Sequence, residues 1–220
     1  MKNIICLIIF FLFNTTLIYS QNTVSVGLKS SYNSSNINFY NNFFPQNIGT
    51  SSFYDYSFSF ITEIKNKKNT GIRIEISKMN KGWVRDTNNN ILTSEISYLN
   101  IPVTMSTYFG NKKTKINFLL GPFFEYQLSN NSDYLLSEIS DLDIYFDDLR
   151  DNKWGYGLMT SAGLSFNLNK NHFQFLVSYQ YNFDNLIDVK TKNPLIPDIS
   201  NFSTLSLSFV YLFNFDKNEI

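Results

Sequence analysis

The strongest constraint in this chain is an alternation of apolar and polar residues that returns in eight separate stretches. Strand side chains point to opposite faces with a period of two, so each stretch reads as a strand with one apolar face. Val24, Val26 and Leu28 alternate with Ser25, Gly27 and Lys29. Tyr54, Tyr56, Phe58, Phe60 and Ile64 alternate with Asp55, Ser57, Ser59 and Glu63. Ile72, Ile74 and Ile76 oppose Arg73, Glu75 and Ser77, and Leu99, Ile101, Val103 and Met105 oppose Tyr98, Asn100, Thr104 and Ser106. Four more stretches run from Ile116 to Tyr126, Trp154 to Phe166, Phe173 to Phe183 and Leu205 to Phe215. Several approach the roughly ten residues that a tilted strand needs to cross a bilayer. No stretch carries a helical repeat of comparable strength.

The connections alternate in length. Three are short and rich in Asn and Lys, at 65–69, 110–114 and 167–171. Four are long, at 33–53, 80–94, 128–152 and 184–201. Strict alternation places all short turns, and both chain ends, on one side of an antiparallel up-and-down barrel. Outer-membrane barrels have this asymmetry, with short periplasmic turns and long extracellular loops.

Periodicity alone leaves two barrels open. A soluble lipocalin-like carrier of an apolar ligand keeps its apolar face inside, whereas a membrane barrel turns it outward. Composition separates them. Aromatic residues make up 17% of the chain and charged residues only 16%. The polar face carries Gly27, Gly121, Gly155, Gly157 and Gly163 among many serines. Small residues suit a crowded eight-stranded interior, which is only wide enough for side chains to fill. The bulky apolar face would overfill it. The expected fold is therefore an all-β, eight-stranded transmembrane barrel, with the lipocalin-like barrel as the alternative.

That orientation selects candidate residues. Glu63, Arg73, Glu75 and Glu125 fall on the lumen face and form an expected polar network, because a buried charge must be paired. Tyr54, Tyr56, Tyr126, Trp154, Tyr156, Tyr179 and Tyr181 cluster at the strand ends next to the long loops, where an interfacial aromatic belt belongs. Phe166, Phe173, Phe213 and Phe215 mark the turn side.

The N-terminus adds a targeting expectation. Lys2 precedes the apolar run Ile4–Phe13, and Ser20 offers a small residue for cleavage. Residues 1–20 read as a secretory signal peptide and 21–220 as the barrel domain. Cys6, the only cysteine, lies in that leader, so the mature chain would hold no thiol.

Other chemistry is sparse. Asp133, Glu138, Asp141, Asp143, Asp147, Asp148 and Asp151 crowd the third long loop, without the spacing of a Ca²⁺ loop. They read as a solvated acidic face. His172 is the only histidine and stands beside a short turn, on the expected periplasmic rim. With no nucleophile-and-base constellation, the expectation is a non-enzyme without cofactor or metal. Formal charge balances to zero, which gives no argument for nucleic acid. Expected partners are outer-membrane lipid and envelope proteins met through the long loops, with Trp83 and the aromatic run at 39–44 either as contacts or folded back over the barrel mouth. The barrel itself is expected to be a monomer.

Tyr98-Leu99-Asn100-Ile101-Pro102-Val103, with Gly121-Pro122 in the following strand, resembles the PorT-like outer-membrane β-barrel proteins of the Bacteroidota. The resemblance implies the barrel fold, the outer membrane of a Gram-negative bacterium and a structural or interaction role. Some members of that family are linked to the type IX secretion apparatus. A turn centred between Asn111 and Lys112 would set Leu99, Ile101, Val103 and Met105 opposite Phe124, Pro122, Leu120 and Phe118. Pro102 would then face Gly121, and a bulge or bend is expected where the two prolines meet.

Overall fold

The computed structural model describes residues 23–40, 50–66, 69–87, 90–133, 152–187 and 199–215. The expected leader, residues 134–151 of the acidic loop, and residues 41–44 of the aromatic run lie outside the described residues. Eight strands form one closed antiparallel barrel in chain order. They are β1 (Thr23–Tyr40), β2 (Ser51–Lys65), β3 (Thr70–Thr87), β4 (Asn90–Gly110), β5 (Thr114–Asp133), β6 (Trp154–Leu168), β7 (Asn171–Asn182) and β8 (Ile199–Phe215). β1 closes the ring against β8, with Val24 opposite Phe215 and Tyr40 opposite Ile199. Closure pairs the backbone around the wall and leaves no free edge, the condition for strands to cross hydrocarbon.

The alternation settles which face is outside. Leu28, Phe58, Ile72, Met105, Leu120, Leu164, Phe175 and Leu207 are all exposed on the outer wall. Ser31, Asn33, Glu63, Arg73, Asn100, Asn117, Gln174 and Ser206 are buried within it. An apolar exterior around a polar interior is a membrane barrel, and the lipocalin-like arrangement is excluded.

The strands outrun their sequence signal on the long-loop side. The expected loop at 80–94 is mostly strand, with β3 reaching Thr87 and β4 starting at Asn90. Likewise β1 continues to Tyr40 and β5 to Asp133. These extensions carry no outward apolar row, so the backbone ladder continues where the amphipathic pattern stops.

The β4–β5 register also differs from the expectation. Leu99 faces Tyr126, Ile101 faces Phe124 and Met105 faces Leu120, while Pro102 faces Phe123 rather than Gly121. The hairpin is closed by the Asn111 N–H donating to the Thr114 carbonyl at 2.9 Å, after Gly110 at a φ of 131°. That centres the turn one residue later and slides the pairing by two, which keeps every side chain on its face.

The expected bulge at the prolines is absent. Pairings on both sides of the gap, Pro102 with Phe123 and Met105 with Leu120, keep one offset, and the irregularity lies at Ser97/Tyr98. Rungs simply lapse, at Val103 and Thr104 against β5, where Pro122 has no N–H to offer, and at Ile101 and Pro102 against β3, where Pro102 has none. Gly121 allows the close approach: a Cβ there would stand 2.1 Å from the Val103 oxygen. Pro122 points outward and pairs with Leu158 on β6.

Candidate functional site: the lumen and its turn-side mouth

Two strands bring the central pair together. Glu63 on β2 and Arg73 on β3 are direct register partners, and both point inward. Arg73 Nη2 donates to Glu63 Oε2 at 3.1 Å, to Tyr108 Oη at 3.0 Å and to Gln174 Oε1 at 2.8 Å. The Tyr108 hydroxyl donates to Glu63 Oε1 at 2.7 Å, and Ser106 donates to the same oxygen. Four strands therefore converge on one buried ion pair. Such hydrogen bonds are what offset the desolvation of charges taken out of water.

The other two lumen carboxylates have lysine partners. Lys29 donates to Glu75, whose other oxygen lies 3.9 Å from Arg73 Nη1. Glu125 accepts from Lys81 Nζ at 2.6 Å and from Asn182 Nδ2 at 2.6 Å. Gly155 makes that last site possible, since a Cβ there would stand 2.7 Å from Glu125 Cγ. Both lysines are absent from the sequence-based network. Lys29 shares the parity of Ser25 and Gly27, which was the available signal. Lys81 fell in a segment taken for loop.

Above this polar interior, on the long-loop side, the lumen turns apolar. Ile37, Phe39, Trp83, Ile96, Tyr98, Leu186, Ile187 and Phe202 form one buried cluster. Trp83 meets Phe39 edge-on at 5.3 Å and Phe202 at 6.0 Å between ring centroids. Its exposure is 4%, so of the two expectations for this indole the structure has it folded back over the barrel mouth rather than standing free for a partner. A second apolar cluster of Ile61, Leu119, Leu176, Val210 and Leu212 fills the barrel nearer the turns.

All seven expected belt residues, Tyr54, Tyr56, Tyr126, Trp154, Tyr156, Tyr179 and Tyr181, are exposed on the outer wall. Tyr126 and Trp154 are register partners with ring centroids 4.6 Å apart. The motif residues divide by parity. Tyr98, Pro102 and Gly121 face the lumen, whereas Leu99, Ile101 and Pro122 face outward.

At the turn side His172 is 2% exposed, so it lies inside the mouth rather than on an open rim. Its Nδ1 is 3.2 Å from Lys65 Nζ. Both line a cavity of ≈ 670 Å³ together with Tyr108, Lys112, Lys113 and Lys115. At the opposite end, burial raises the Asp184 carboxyl above its ordinary range, although Asp184 accepts from the Tyr156 N–H at 2.8 Å. No cluster of His, Cys, Asp and Glu suited to a metal occurs among the described residues.

Comparison with known proteins agrees with this geometry. The sequence profile of a family described as outer membrane protein beta-barrel domain matches residues 19–188. The outer membrane protein OprG from Pseudomonas aeruginosa shares the fold at 13% identity, with a TM-score of 0.53 over 89% of this chain and 96% of that one. The outer membrane protein AlkL, solved in lipid bilayers, is 12% identical with a TM-score of 0.50 over 92% of this chain and 94% of that one. Among curated proteins none matches the chain. The protein is located in the outer membrane.

Proposed function

This chain belongs to the outer membrane protein β-barrel family, and from that premise we propose that it serves as a closed anchor or interaction platform of the cell envelope. The observation that carries this reading is the filled lumen. Arg73, Lys81, Ile61, Phe123 and Leu212 have no exposure at all, and the Trp83 cluster lies above them. An eight-stranded barrel has room for side chains or for a small ligand, and here side chains take that room. The ion pairs of Glu63, Arg73, Glu75 and Glu125 then serve the barrel's own stability. The outward aromatic residues hold its long-loop end at the membrane–water boundary, and a single barrel suffices.

Recognition falls to the long loops, because rigid scaffolds carry function on the segments they display. The resemblance of Tyr98–Val103 and Gly121-Pro122 to PorT-like barrels of the Bacteroidota supports a partner within a secretion apparatus. Co-purification from solubilised outer membranes tests this role. We expect a defined set of envelope proteins with the full chain, lost when residues 134–151 are deleted. Recovery of the barrel alone in both cases contradicts the platform role.

A further inference from the structure

We infer that the turn-side mouth is a binding site for a small, multiply charged oxyanion of the phosphate class. The cavity of ≈ 670 Å³ is lined by Lys65, Lys112, Lys113, Lys115 and His172 among neutral residues, and no Asp or Glu among the described residues lines it. In a chain with equal numbers of acidic and basic residues this segregation is pronounced. Like charges gathered within a Debye length of about 8 Å repel one another unless something offsets them.

The deep wall of the cavity carries an incompletely matched cation. Lys65 is largely buried, and its Nζ lies 3.2 Å from His172 Nδ1. An ammonium can only donate, so Nδ1 accepts and the neutral ring carries its proton on Nε2. Glu63 Oε2 stands 3.8 Å from Lys65, beyond hydrogen-bond length, and already accepts from Arg73 at 3.1 Å. One carboxylate therefore faces two cations, and Lys65 retains donor capacity. Lys112 and Lys113 stand exposed on the β4–β5 turn, with no ion pair to any described carboxylate.

The donor chemistry narrows the ligand. Lysines bind phosphate as rotatable point charges, whereas planar carboxylate recognition favours the arginine fork. Arg73, the guanidinium nearest this end, is wholly buried and turns its Nη2 to Glu63, Tyr108 and Gln174. With the short turns on the periplasmic side, the oxyanion comes either from periplasmic solution or from an inner-leaflet lipid headgroup.

Calorimetry with inorganic pyrophosphate tests the site on folded protein in octyl-glucoside micelles, which contain no phosphate. Saturable binding is expected at low salt, roughly tenfold weaker in the Lys112→Gln/Lys113→Gln variant. Both substitutions lie in an exposed turn, and heat-modifiable gel mobility verifies that the variant is folded. A second titration uses nanodiscs containing phosphatidylglycerol. Undiminished pyrophosphate binding there assigns the site to a soluble oxyanion, and weakened binding assigns it to the lipid headgroup. No saturable binding in micelles, or equal affinity in the folded variant, overturns the inference.

Discussion

The two ends of this lumen solve the same packing problem with opposite chemistry. Toward the turns, the buried Glu63 accepts from Ser106 and Tyr108, and the buried Arg73 donates to Glu63 and Gln174. Toward the long loops, Phe39, Trp83, Tyr98, Phe202 and Ile187 pack over a single Lys81–Glu125 pair. The difference teaches where specificity resides. A polar interior demands that every charge have its partner, so removing one member strands another. An apolar cap demands only volume, so its losses scale with the space left empty.

The comparison breaks most severely at Arg73. Arg73→Met leaves Glu63 buried beside a lysine at 3.8 Å and is expected to cost about 3–5 kcal/mol in urea unfolding. Adding Glu63→Gln should recover part of that loss, because no fully buried carboxylate is then left without its arginine. A double variant no more stable than Arg73→Met would refute the pairing argument. At the other end, Trp83→Ala is expected to cost about 3 kcal/mol through the cavity it opens. No second-site charge change should rescue it, whereas Trp83→Leu should fall between it and the parent.

The wall between the two ends can be tested separately. Gly121→Ala drives a Cβ against the Val103 oxygen and is expected to destabilise by about 1–3 kcal/mol. An unfolding midpoint equal to that of the parent would mean the strands do not approach so closely. The smallest effect is a pH slope at the loop end. The raised Asp184 carboxyl holds its proton more tightly in the folded state than in the unfolded chain. Its contribution is fully present below the unfolded pKa and is lost as pH rises through the folded value. Asp184→Asn keeps the oxygen that accepts from Tyr156 and should flatten that slope in pH-dependent unfolding.

The sequence made the barrel and the polar end legible for the same reason. Inward polar residues such as Glu63, Arg73 and Asn100 alternate with bulky outward ones, and a period of two is visible without a structure. The apolar interior hides from that test. Phe60-Ile61, Leu119-Leu120 and the run Phe209–Phe213 put apolar residues on both faces, so alternation vanishes where the lumen is most tightly filled. Trp83 and Lys81 were illegible for a different reason. They lie on a strand extension lacking the outward apolar row, and only the backbone ladder to β4 reveals their direction. The β4–β5 register erred by two because hairpin closure at Asn111 and Thr114 depends on turn geometry that composition does not specify.

The central claim is that this barrel is filled from its polar end to its apolar cap. Conductance across a planar lipid bilayer holding the purified protein tests it most directly. The account predicts no stepwise current in the parent protein at voltages where general porins conduct steadily. A stable open conductance in the folded parent would contradict it.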